Sequence, residues 1–176
     1  MAYESPVYTI IQKFSDSELR FYEAFSTIAV KENSLAGNSG FGYLFNYISG
    51  GNQSKTKMSM TVPVINDTNQ EIPTMEFVIP QVHVNRIPQP QHHNMMIKNY
   101  PAQYVLVKTF SGLVSDAKMK AMEKVLNDRA KKEHLQINGT VKIARYNSPF
   151  SLPFLRHNEM WFTVLLSDSA DTIRKV

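Results

Sequence analysis

Five histidines, His83, His92, His93, His134 and His157, are the residues of this 176-residue chain best suited to ligation or proton transfer. None stands in an HExxH or H-x3-H pattern, and adjacent His92 and His93 point to opposite sides of an extended backbone, a poor chelating geometry. They read as solvated or structural groups. The serines lie outside any GxSxG context, so a Ser/His/Asp nucleophile has no frame here. Glu71, Glu76, Glu123 and Glu133 stand singly among polar or basic neighbours and read as solvated. The glycines of GNSGFG have no strand leading into them and no GK[ST] after them, unlike a phosphate loop. There is no cysteine, which removes disulfides, thiolate metal sites and cysteine nucleophiles together.

A binding surface is better supported than a catalytic one. Between Asn33 and Ser49 the apolar period becomes helical, because Phe41, Leu44, Phe45 and Ile48 fall within about 100° of one another on a helix. Gly50-Gly51 ends it, and Asn33 or Ser39 is the candidate cap. Packing that stripe on a sheet turns Tyr43 and Tyr47, neighbours at i and i+4, outward as a surface for a planar apolar ligand or a partner. The alternative is that the loop Gln81 to His93 folds over them. The methionines fall on predicted elements and read as core filling.

The elements that must position these residues follow from period and punctuation. Val7 to Gln12 and Leu19 to Val30 read as strands joined by a polar turn, the second with a bend. Lys57 to Ile65 and Thr74 to Ile79 read as strands on either side of the polar turn Asn66 to Gln70. Pro- and Gln-containing Gln81 to His93 is an irregular seam. Beyond it, Met95 to Lys98 and Gln103 to Phe110 are strands. Ser115 to His134 is a helix with Met119, Met122, Leu126 and Ala130 on one stripe and Ser115 or Asp116 as cap. Thr140 to Tyr146 and Glu159 to Leu166 complete the order, separated by a Pro-containing loop. The halves, about 1–85 and 92–168, repeat this order, which predicts one α+β domain of two βαβ-type halves. Its antiparallel strands curl into an open barrel with both helices on one side.

Length, hydrophobic content of 43% and net charge +4 fit a single self-sufficient domain over residues 1–176. No stretch approaches the roughly 18 apolar residues of a membrane span, and the N-terminus shows no signal-peptide pattern. The expectation is a soluble, cytoplasmic chain with no membrane partner. Without a basic stripe or a helix-turn-helix, none with nucleic acid is expected either.

Five strings, KMSMTVPV (57–64), FVIP (77–80), YVLVKTFSG (104–112), ARYNSP (144–149) and FLRHNEMWF (154–162), occur in an order and spacing that resemble the SOUL/haem-binding protein family. Agreement extends to Leu19-Arg20-Phe21-Tyr22 and to Leu44-Phe45-Asn46-Tyr47-Ile48, so it covers nearly the whole chain. The resemblance implies a distorted antiparallel barrel of two similar halves flanked by two helices, similar to the effector-binding domains of bacterial regulators. It also implies non-enzymatic binding or carriage of haem or another tetrapyrrole in an apolar cleft. Some family members use a histidine ligand from the N-terminal half, whereas residues 1–82 here contain none. The expectation therefore turns to apolar contact from Leu35, Tyr43 and Tyr47, with Lys55 and Lys57 placed to pair with propionates. A pocket for another planar amphipathic molecule, or a small hydrolase on the same scaffold, are the alternatives. On their own residues, Pro63 ends ladder pairing at a sheet edge and Arg156 ties the last loop to the barrel through Asn158-Glu159.

Overall fold

Strand alternation decides which side chains meet the helices and which meet each other. The computed structural model describes residues 2–32, 39–68, 71–148 and 150–167. Its elements in chain order are β1 (Tyr8–Lys13), β2 (Glu18–Tyr22), β3 (Phe25–Lys31), α1 (Ser39–Ile48), β4 (Val64–Asp67) and β5 (Thr74–Val78). After the seam come β6 (Met95–Tyr100), β7 (Gln103–Phe110), α2 (Asp116–Lys132), β8 (Leu135–Ile137), β9 (Lys142–Arg145) and β10 (Asn158–Leu166). The strands form one curled antiparallel sheet in the order β1-β2-β7-β10-β9-β4-β5-β3-β6, with β8 paired to β10.

Apart from the extra edge strand β1, that order is symmetric about the β9-β4 contact. The quartet β2-β7-β10-β9 mirrors β6-β3-β5-β4, as a duplicated βαβ-type order requires. Each quartet takes its outermost strand from the other half of the sequence, since β2 pairs with β7 and β6 pairs with β3. The stretch read as one bent strand, Leu19 to Val30, is therefore two strands broken at Glu23-Ala24, and the two sit in opposite quartets. The strand expected over Lys57 to Ile65 is also corrected. Ladder pairing begins only at Val64, directly after Pro63, and runs on to Asp67.

Both helices lie on the convex face. Leu106, Met160, Phe162 and Val164 pack beneath α2, whose Met119, Leu126 and Ala130 are buried as its stripe predicts. The Ser115 hydroxyl caps α2 by accepting from the Lys118 amide at 3.3 Å. Ile28, Val30, Met75 and Phe77 pack beneath α1, which ends where Gly50 takes φ +106, a left-handed conformation that glycine adopts without penalty. The opposite, concave face carries Tyr22, Ile65, Val105, Val107 and Trp161, together with buried charged groups. Among the described residues, no helix is long and apolar enough to cross a membrane.

Candidate functional site

The buried face of α1 is rotated from the expected one. Leu44, Tyr47 and Ile48 are buried, Phe41 half so, while Phe45 is 53% and Tyr43 42% exposed. At 100° per residue this moves the centre of the stripe by roughly 40°. Tyr47, expected on the outside, has no exposed surface, and its hydroxyl donates to the Pro88 carbonyl at 2.5 Å. Burial pushes its pKa up to about 12. The seam thus closes over Tyr47 and only partly over Tyr43, whose ring meets His92 edge-on at 4.6 Å; His92 and His93, expected on opposite sides of the backbone, instead stack at 4.8 Å. Exposed Lys55 and Lys57 follow α1 in a turn pinned by buried Asn52. Its amide donates to the Tyr47 and Thr56 carbonyls at 2.9 and 2.7 Å. Leu35 and Asn33 lie outside the described residues. Of the five expected contact residues, Tyr43, Lys55 and Lys57 remain on the surface and Tyr47 belongs to the core.

A cleft of about 330 Å³ opens between α1 and the start of α2. Its apolar surface comes from Phe41, Val64, Met75, Val114 and Met119. Arg145 at the end of β9, Arg156 on the following loop and Asn158 at the start of β10 add polar groups. Burial, and then the neighbouring Arg156 charge, lower the proton affinity of Arg145. Two guanidiniums that disfavour each other beside an apolar floor suit the carboxylates of an amphipathic ligand. Arg156 does not tie the loop down through Glu159 as expected. Its Nε donates instead to the Ser151 carbonyl at 2.9 Å.

The concave face holds two carboxylates, Glu76, which the sequence pattern places in solvent, and Glu159, which lies inside a motif; both are buried. Glu159 on β10 accepts from Arg20 Nη1 at 3.0 and 3.1 Å, Tyr146 Oη at 2.9 Å and Trp161 Nε1 at 2.8 Å, and His157 Nε2 lies 3.0 Å away. Glu76 on β5 accepts from Thr27 and Thr74 hydroxyls at 2.8 Å each, Lys98 Nζ at 2.6 Å and Tyr100 Oη at 2.8 Å. Arg20-x-Tyr22 on β2 and Lys98-x-Tyr100 on β6 occupy corresponding edges of the two quartets. That shared spacing is the signal that could have found both acids. Asp67 joins the Glu76 group through Thr140 at 2.5 Å and Lys98 at 3.2 Å.

Burial alone would raise the pKa of Asp67, but the Thr140 hydrogen bond and the Lys142 and Lys98 charges outweigh it and hold the carboxyl below its usual range. Its unfolded pKa is near 3.9, so its stabilisation is present above that pH and is lost as pH falls through the lower folded value. The urea midpoint of the wild type should drop on acidification below about pH 4. Asp67→Asn should drop less over the same window. Parallel acid limbs in the two proteins would refute this role for Asp67.

Compared with known proteins, residues 3–163 match the sequence profile described as SOUL heme-binding protein. The chain belongs to the SOUL haem-binding family. Heme-binding protein 2 of Mus musculus is 28% identical over 156 residues, 82% of this chain and 76% of the mouse protein. The EcmrR C-terminal domain superposes with a TM-score of 0.59 at 10% identity, covering 92% of this chain and 99% of that one. A hydrolase from Listeria innocua gives 0.61 at 12%, covering 88% and 94%. At such identities these two structures share the fold alone, a scaffold that hosts many functions. In this SOUL chain, YVLVKTFSG ends at Gly112, ARYNSP supplies Arg145 and Asn147, and FLRHNEMWF supplies Arg156 and Asn158. All five residues line the cleft between the helices. Taken by themselves these strings read as scaffold, because nothing local shows that three separated loops meet.

Proposed function

We infer that the chain is a single tetrapyrrole-binding domain of two repeated halves. It holds haem or a related macrocycle in the cleft between α1 and α2 without carrying out chemistry on it. The observation that carries this reading is the Arg145 and Arg156 pair set beside the apolar surface of Phe41, Val64, Met75 and Met119. A volume near 330 Å³ is at the lower end of small-molecule sites, about 300–1,000 Å³. A macrocycle would therefore enter by one edge, its apolar ring against the floor and its carboxylates toward the guanidiniums. No histidine is among the described residues lining the cleft, so recognition there rests on shape and charge. The two buried carboxylates are each taken up by hydrogen-bond donors, which suits a scaffold role better than acid-base work.

A second reading is favoured by the imidazoles beside Tyr43. His92, His93 and Tyr43, with Lys55 and Lys57 on the turn after α1, would ligate haem iron and pair with its propionates.

One absorbance titration separates the two. Binding in the cleft predicts that haemin and iron-free coproporphyrin bind within about threefold of each other. Combined Arg145→Gln and Arg156→Gln changes should then weaken both by at least tenfold, about 1.4 kcal/mol. Alanine at any one of the five histidines should leave affinity within about threefold. Binding confined to haemin, lost on changing His92 or His93 and indifferent to the arginines, would move the site to the Tyr43 face.

A further inference from the structure

The loop between β9 and β10 forms the outer rim of the cleft and turns large apolar side chains away from it. Phe150 is 95% and Phe154 70% exposed, with Leu152 and Leu155 beside them and Leu113 exposed on the adjoining segment. Backbone bonds tie its described residues together. The Gly112 amide donates to the Pro153 carbonyl, Ser151 to Ser148 and Leu155 to Leu152, each at 2.9 Å. Scattered exposed apolar residues are ordinary, but a group of this size on one loop marks a contact surface.

Charge distinguishes what that surface meets. Residues 146–157 contain no carboxylate, and the cleft lining beside them sets Arg145 and Arg156 against Asp116, with Lys118 two residues further along α2. Aromatic and aliphatic tips inside a cationic surround are the pattern of a surface that lies in the lipid headgroup region and is drawn there by anionic lipids. We propose that Phe150, Leu152, Phe154 and Leu155, with Leu113, dock this protein on an anionic membrane surface and so bring the mouth of the cleft to the lipid. The expectation of no membrane partner rested on the lack of a spanning segment, and docking of this kind needs none.

The test uses the full chain without any tetrapyrrole, so its outcome is separate from that of the haemin titration. Sedimentation with phosphatidylcholine vesicles is compared with vesicles carrying about a third phosphatidylglycerol. Partition onto the anionic vesicles is expected to be at least tenfold stronger and to weaken several-fold between roughly 0.1 and 0.5 M NaCl. The combined Phe150→Ser, Phe154→Ser and Leu155→Ser variant, checked for an unchanged melting temperature, should lose at least tenfold. Undiminished binding by that variant would overturn the proposal, since charge alone would then suffice. So would a wild type that ignores both vesicles, or that self-associates or takes up a protein partner through this loop instead.

Discussion

Glu159→Ala should destabilise the protein by about 3–5 kcal/mol, the usual cost of breaking a buried ion pair, because Arg20 would keep only Glu18, 2.9 Å away and 28% exposed, as a carboxylate partner. Arg20 and Glu159 have side chains only 5% and 3% exposed, so water cannot replace the lost carboxylate. Tyr146 Oη and Trp161 Nε1 would lose their acceptor in the same substitution, and buried unsatisfied donors each cost about 1–3 kcal/mol. Glu159→Gln keeps one acceptor oxygen and the shape, and should lose less. Urea unfolding of both variants, with an unchanged slope, measures the difference. A loss under about 1 kcal/mol for the alanine variant would show that the pair is dispensable. Arg20→Met combined with Glu159→Leu should recover part of the loss, because the two buried charges go together and Glu18, which loses Arg20, is 28% exposed and can be hydrated.

The second large effect contrasts two tyrosines one helical turn apart. Tyr47→Ser should cost about 3–5 kcal/mol, since it empties a fully buried aromatic position between α1 and the seam. Tyr43→Ser should stay within about 0.5 kcal/mol of wild type, as surface changes usually do. Tyr47→Phe isolates the hydroxyl and should lose about 1 kcal/mol, the worth of its bond to Pro88. Thermal melts of the three variants decide it. Equal melting temperatures for the two serine variants would restore the outward placement of Tyr47.

Sequence reading succeeded where one face of an element meets water. On α2, Met119, Leu126 and Ala130 alternate with lysines, and the Ser115 cap is local, so period and boundary were both legible. On α1 the apolar and aromatic residues surround most of the helix. Choosing between Phe45 and Tyr47 as the inward residue needed the seam, which no local pattern reveals. The interior acids were illegible for a related reason. Alternation in Thr74–Val78 reads as one wet and one dry face, yet curling buries both, and every residue of that strand is inside. Arg145 and Arg156 looked like scaffold because their meeting depends on how the loop between β9 and β10 lies over the convex sheet.

The exchange of outer strands makes each half of the chain depend on the other. A lone half, consisting of the equivalents of β2, β3, α1, β4 and β5, would hold its first strand away from its own sheet and leave the edge of β3 open. Open edges of that kind recruit another copy. Two such halves would close by donating first strands to each other about a two-fold axis, with the β4 and β9 equivalents pairing at the centre. The strand order is thus that of two such units that exchange their first strands, joined into one polypeptide by the seam between β5 and β6. Cutting the chain there should yield fragments that are individually unfolded but associate into the native sheet when mixed.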